Sequence, residues 1–257
     1  MITLSSDFGS PYPAAMKGVI CGRSDARIED VAHDFPRQDV RASAFWLTQT
    51  LPYFPPAVHC VVVDPGVGTD RDALVVRAGG HALVGPDNGV LLPVARELAA
   101  AAGDEGGVEA FTWAYDDTAS TTFHGRDVFA PAAAAVHDSG VERVEERPET
   151  APSGDCVDLR FPEPSVDDDG ATGEILVVDG FGNAITNVPG DVLAERFGET
   201  VAVGGDDVPV RRAYAAVDSG QRLVTVGSHG NVELAVNRGR GDEAFGVAAG
   251  DGVTLSL

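Results

Sequence analysis

The sequence predicts an N-terminal layered α/β domain with a mostly parallel sheet, followed by a smaller all-β, barrel-like domain. Three observations lead there. Strand-like apolar runs alternate with helix-like ones through the first part of the chain, the pattern of a sheet covered by helices. From about Pro148 to Gly173 the texture changes to Pro, Ser, Asp and Gly, which reads as a linker. Beyond it, short strands recur between turn signals, as in a small barrel or sandwich. The predicted boundaries are 1–150 for the α/β domain, 151–172 for the linker and 173–257 for the β domain.

Each element has a local reason. Residues 2–4 open a strand, 14–21 suit a helix, 28–32 a strand and 41–51 a helix. Residues 58–63 are rich in β-branched side chains, and Pro65, Gly66 and Gly68 then force a turn. Asp64 therefore stands at the carboxyl end of a buried strand, the edge at which open α/β sheets bind ligands. Residues 74–76 and 81–84 form a small hairpin. Leu91, Val94, Ala95 and Leu98 mark one face of a helix whose first turn tolerates Pro93. A further helix begins near Asp127 and runs to His137. In the second domain the strands fall at 173–178, 199–203, 208–212, 222–226, 232–236 and 253–257.

With 257 residues the chain can bury the cores of two domains. Its 40 Asp and Glu against 18 Lys and Arg give a formal charge of -22, with Lys17 the only lysine. A surface so acidic repels nucleic acid and anionic membranes, so neither is an expected partner. The carboxylates are dispersed, and even the run Asp167-Asp168-Asp169 reads as solvated adaptation to high salt. Three cysteines, Cys21, Cys60 and Cys156, lack metal-ligand spacing, and their odd number argues against a closed disulfide framework, implying a reducing cytoplasm. The start of the chain lacks a cationic and apolar leader, and no later run approaches a membrane span, so a cytoplasmic location is expected.

Four polar segments interrupt the apolar pattern. They are Ser6-Asp7-Phe8-Gly9 after the first strand, Asp64 to Arg71, Phe123-His124-Gly125-Arg126-Asp127 before a helix, and Asp179-Gly180-Phe181-Gly182-Asn183 running on to Asn187. Together with Met16-Lys17-Gly18, Gly85-Pro86-Asp87-Asn88-Gly89 and Gly227-Ser228 leading into Glu233 to Asn237, they resemble the S-adenosylmethionine hydroxide adenosyltransferases, relatives of enzymes that cleave the same substrate with halide. The likeness runs nearly the full length, and the order and spacing of the motifs make it specific.

The resemblance implies hydrolysis of S-adenosyl-L-methionine to adenosine and L-methionine, with Asp64, Arg71 and His124 as the reacting group and no cofactor. It also implies a homotrimer in which the N-terminal domain of one subunit meets the C-terminal domain of the next. Asn183, Ser228, Glu233 and the backbone around Val236 match positions that hold adenine, Phe181 one that borders it, and Asp179 one that meets the methionine ammonium. Asp7 belongs to the family's Ser-Asp-Phe-Gly signature, but the following turn is shorter than usual and loses the ribose-binding acid. Asp7 or Ser10 then takes over the ribose hydroxyls, or ribose affinity falls.

The residue types suit that chemistry. A sulfonium leaves as neutral methionine and needs no acid, so what the site supplies is an oriented water. Arg71 favours an ionised Asp64, a weak proton acceptor, which makes His124 or a shared network the expected base. The halide-using relatives carry Tyr where Asp64 stands and Ser where Gly125 stands, so water is expected rather than halide. A non-catalytic adenosine-binding or sensing protein is the competing reading, and it does not require the full trio. His33, His59, His81 and His137 share no spacing and read as core or surface residues; no metal site is expected. Gly66-Val67-Gly68 lacks the third glycine of a dinucleotide fingerprint.

Overall fold

Seven strands make the first sheet: β1 (Ile2–Ser6), β2 (Ile28–Ala32), β3 (Val58–Val62), β4 (Ala73–Ala78), β5 (His81–Pro86), β6 (Glu109–Trp113) and β7 (Thr150–Pro152). The computed structural model describes residues 1–103, 107–115 and 122–257, and the chain divides into two units, Met1–Arg160 and Phe161–Leu257. In the first, the strand order is β2-β1-β3-β5-β4-β6-β7. The pairings β1 with β2, β1 with β3 and β3 with β5 are parallel, and those from β5 through β4 and β6 to β7 are antiparallel. The predicted hairpin is therefore not an appendage, since β5 lies directly against β3. Gly85 permits this, because a Cβ there would meet the Val61 carbonyl oxygen at 2.5 Å.

Helices α1 (Tyr12–Cys21), α2 (Val40–Thr50), α3 (Leu92–Ala101) and α4 (Ala130–Ser139) surround the sheet. Proline in the first turn of α1, α3 and α4 is placed where no helical hydrogen bond is lost. Asp39 caps α2 by accepting from Ala42 N at 2.9 Å. Met16 and Ile20 of α1 and the alanines of α4 pack on Ile2, Leu4, Val58, Cys60 and Val62, one face of the sheet. Strand alternation sends Thr3, His59 and Val61 to the other face. The small side chains of α4 let it lie close on the strands, and this brings the segment before it, Phe123 to Phe129, to the carboxyl ends of β1 and β3.

The second unit is a nearly closed antiparallel barrel. Its strands are β8 (Ser165–Asp167), β9 (Gly170–Val178), β10 (Ala184–Pro189), β11 (Thr200–Val203), β12 (Asp206–Pro209), β13 (Arg222–Val226), β14 (Asn231–Val236) and β15 (Gly252–Ser256), with a short α5 (Gly241–Phe245). The order is β12-β11-β15-β9-β10-β14-β13, with β8 on β9. A bridge between Val210 and Val224 ties the chain just beyond β12 to β13 and so draws the two edges together. Ile175, Val188, Leu193, Val208, Val224, Leu234 and Leu255 fill the interior.

Several elements differ from the expectation for local reasons. Residues 151–172, read as a linker, include the end of β7, which pairs with β6, and β8, which pairs with β9. β12 occupies 206–209 rather than 208–212, because the Gly204-Gly205 turn, with positive φ at both residues, starts it earlier. The second domain also contains β10, within a segment read only as a motif, and the first contains β6, which had no assignment.

Candidate active site

Past the end of β3, Val63 stays buried and its carbonyl accepts from Asn88 Nδ2 at 2.9 Å. The chain then turns. Gly66 N donates to Asp64 Oδ1 at 3.2 Å, while the Thr69 hydroxyl and amide close on the Gly66 carbonyl at 2.7 and 3.1 Å. This loop returns Arg71 to the carboxylate. Its Nε donates to Asp64 Oδ1 at 2.8 Å and its Nη2 to Asp64 Oδ2, a bidentate pair. Nη1 donates to the Asp72 carbonyl at 2.9 Å, and the guanidinium carbon stands 5.1 Å from the centre of the Phe129 ring. Arg71 is held in orientation as well as in place.

The same Nη2 meets Nδ1 of His124 at 2.9 Å. A guanidinium only donates, so Nδ1 accepts, and the neutral ring carries its proton on Nε2. Asp64, Arg71 and His124, drawn from two loops, thus form one bonded group, with Asp64 Oδ2 and His124 Nδ1 4.0 Å apart. The side chains of Asp64 and His124 are 1% and 3% exposed and that of Arg71 11%, so Arg71 is the most exposed of the three.

His124 leads into a single π-helical turn, Gly125–Phe129, that runs directly into α4. Such turns recur at functional sites because their extra residue re-aims the side chains before them. Gly125 is crowded. A Cβ there would stand 3.0 Å from Phe123 Cε2, 3.2 Å from Met16 Sδ and 3.3 Å from Val62 Cγ1. Beside it Phe8, Tyr12 and Phe123 meet edge to face, with centroids 5.6 to 6.1 Å apart.

The loop after β1 bears the two ribose candidates. Asp7 Oδ2 accepts from Gln38 N at 2.6 Å, and Ser10 is exposed. In the second unit the structure forms two groups of the expected binding residues. Asp179 Oδ1 accepts from Phe181 N and Asn183 N at 2.8 and 2.9 Å, and its Oδ2 accepts from Asn183 Nδ2 at 2.9 Å. The carboxylate therefore braces its own loop and leaves Phe181 82% exposed at the tip. The second group surrounds buried Glu233 of β14. Its Oε1 accepts from the Tyr214 hydroxyl at 2.6 Å, and its Oε2 is 3.5 Å from His229 Nε2. Burial, then the bond to Glu233, pushes the Tyr214 hydroxyl up, so it stays protonated. Ser228 sits in the turn between β13 and β14, and Val236 is buried at the far end of β14.

Tyr214 and His229 were missed by sequence reasoning. Tyr214 opens a short 3-10 turn, Tyr214–Ala216, with no motif around it; His229 follows Ser228 inside a matched segment, and that was the available signal. Among the described residues, no group of three His, Cys, Asp or Glu side chains is arranged to hold a metal ion. No helix among them is long and apolar enough to cross a membrane.

Residues 2–145 match the SAM hydroxide adenosyltransferase N-terminal domain and residues 173–254 the C-terminal domain. The chain is 40% identical over 261 residues to an (R)-S-adenosyl-L-methionine hydrolase of Salinispora tropica, a match covering 97% of this chain and 95% of that one. It is likewise 40% identical over 270 residues to an (R)-S-adenosyl-L-methionine hydrolase of Thermus thermophilus, with 97% of each covered. In structure it is similar to an uncharacterized conserved protein of Thermotoga maritima, with TM-score 0.84, 33% identity and all of both chains covered.

Proposed function

The chain belongs to the SAM hydroxide adenosyltransferase family and hydrolyses S-adenosyl-L-methionine to adenosine and L-methionine, and from this we propose that Asp64, Arg71 and His124 are its catalytic residues. The observation that carries the assignment is the single guanidinium nitrogen shared between the Asp64 carboxylate and the His124 ring. In this reading a water beside the trio attacks ribose C5′. The new C–O bond forms as the C5′–S bond breaks with its electron pair moving to sulfur, which leaves as a neutral thioether, and the water's proton passes along its hydrogen bond to Asp64 and from there to solvent.

The geometry changes the division of labour expected from the sequence. The one lone pair of His124 Nδ1 is committed to Arg71, so this nitrogen holds the guanidinium in place and is not the base. Asp64 has about four acceptor directions, of which Arg71 Nε, Arg71 Nη2 and Gly66 N take three, so it can also accept from the water. Arg71 beside a nearly dry carboxylate stabilises hydroxide character as the bond forms. Crowding at Gly125 opposes the serine of halide-using relatives, and the Asp64 charge repels a bare halide.

Substrate contacts follow the matched positions. Asn183, Ser228, Glu233 and the Val236 backbone take adenine, Phe181 borders it, and Asp7 or Ser10 takes the ribose. Asp179 meets the methionine ammonium, through a carboxylate already ordered by three loop hydrogen bonds. The relatives' names support the (R)-sulfonium epimer as substrate. We further propose a cytoplasmic, salt-adapted homotrimer whose pockets are completed between subunits, a reading supported by family likeness and by the charge of -22. The experiment that tests the function is product analysis after incubation with each sulfonium epimer in high salt: adenosine and methionine are expected, and intact substrate would reduce the protein to a binder.

A further inference from the structure

A second polar chain, separate from the reacting trio, ends in the loop after β1. Lys17 Nζ donates to Asp30 Oδ2 at 2.5 Å, His33 Nε2 donates to Asp30 Oδ1 at 3.0 Å, and the buried Ser6 hydroxyl meets His33 Nδ1 at 2.7 Å. The carboxylate only accepts, so Nε2 carries a ring proton, and in the neutral ring Ser6 donates to Nδ1. The same stretch grips the loop through its backbone: Gly9 N donates to the His33 carbonyl at 2.8 Å, Phe35 N to the Ser6 carbonyl at 3.4 Å, and Gln38 N to Asp7 Oδ2 at 2.6 Å. As an ion pair, Lys17 with Asp30 contributes little, because both side chains are well exposed. Its effect is orientation. With both Asp30 oxygens engaged, the His33 ring is held in one plane and keeps its other nitrogen on Ser6.

We propose that Lys17, Asp30 and His33 are positioning residues for the hydrolysis: through Ser6 they hold the segment from Asp7 to Ser10 in the conformation that takes the ribose hydroxyls. This rests on the reading of Asp7 or Ser10 as the ribose contact. None of the three touches the reacting trio, which stands on the loops after β3 and before α4, so their loss acts on nucleoside binding and not on the chemical step.

The test compares adenosine with 2′,3′-dideoxyadenosine, which lacks the hydroxyls in question, by calorimetry on the full-length protein and on His33→Phe, Asp30→Asn and Lys17→Met, alongside steady-state kinetics. Each variant should bind adenosine about 10-fold more weakly and dideoxyadenosine within about 2-fold of the parent, with KM raised and kcat held. Lys17→Arg should restore adenosine binding. Lys17 is on the surface, so Lys17→Met carries the test if His33→Phe does not fold. Variants that bind adenosine as the parent does, or that lose both nucleosides equally, would overturn the proposal and leave the hydrolase reading intact. A parent protein that binds the two nucleosides equally would remove the ribose assignment, and this proposal with it.

Discussion

Arg71 and His124 share a hydrogen bond in which the guanidinium donates to the ring at 2.9 Å, and the same nitrogen holds Asp64. Three side chains separated in sequence therefore act as one object. Asp64→Ala, Arg71→Ala and His124→Ala should each lower kcat by about 10² or more while adenosine affinity changes little. A double variant should cost far less than the sum of the single losses. Arg71→Lys, which keeps the charge but not the fork, should behave like Arg71→Ala. Near-normal turnover in all of them would end the assignment.

Halide should not replace water. In molar chloride the products should remain adenosine and methionine, and chromatography showing 5′-chloro-5′-deoxyadenosine as the main product would contradict the roles given to Asp64 and Gly125. Gly125→Ser alone should not create halide use, since its Cβ has to displace Phe123, Met16 or Val62.

Acid should destabilise the first unit before ordinary carboxylates titrate. His59 bonds the Thr3 hydroxyl at 2.8 Å and His81 Nδ1 at 2.9 Å; burial, then the charge of His81, pushes its pKa from 6.5 to about 3. Between those values the unfolded chain binds a proton that the folded chain does not. The stability supplied by neutral His59 is thus complete above 6.5 and is lost as pH falls toward 3, at about 1.4 kcal/mol per pH unit. Denaturant midpoints from pH 7 to pH 5 at fixed salt should show this slope, and His59→Gln should flatten it. An unchanged slope in the variant would assign the effect elsewhere.

Stability and activity should both rise as potassium chloride approaches molar levels, because a charge of -22 per subunit opposes folding and assembly in dilute buffer. Salt also weakens attraction between the cationic sulfonium and an acidic surface, so KM should rise while the melting temperature does. Sedimentation across the same series should show the active species to be larger than a monomer. A melting temperature that falls with salt, or an active monomer, would refute these expectations.

The parts of the fold legible in the sequence are those in which side-chain pattern and backbone agree. β3 is five buried residues in a row followed by Pro65 and Gly66, and both the strand and its end were readable. β10 was hidden because its alternation begins inside the polar Asp179 to Asn187 segment, and β6 because five residues of mixed burial carry little period. Family resemblance, carried by the order of the motifs, suggested Asp64, Arg71 and His124 as one site, yet nothing in the sequence revealed which ring nitrogen would face Arg71. That is fixed by tertiary geometry, and it is the ground for proposing His124 Nδ1 as a partner of Arg71, where His124 or a shared network was expected as the base. Tyr214 was not legible for a similar reason: its partner Glu233 is 19 residues away, across a turn and a strand.

The π-helical turn at Gly125–Phe129 makes the site sensitive to residue count as well as to residue identity. An α-helix advances about 100° per residue, so removing one residue from this turn would let it relax to α and rotate His124 by roughly that angle about the axis of α4. Nη2 of Arg71 would lose its second acceptor although every side chain of the trio was still present. Descendants of this gene can thus exchange many side chains around the turn and keep the arrangement, whereas a single in-frame codon deletion there would abolish it.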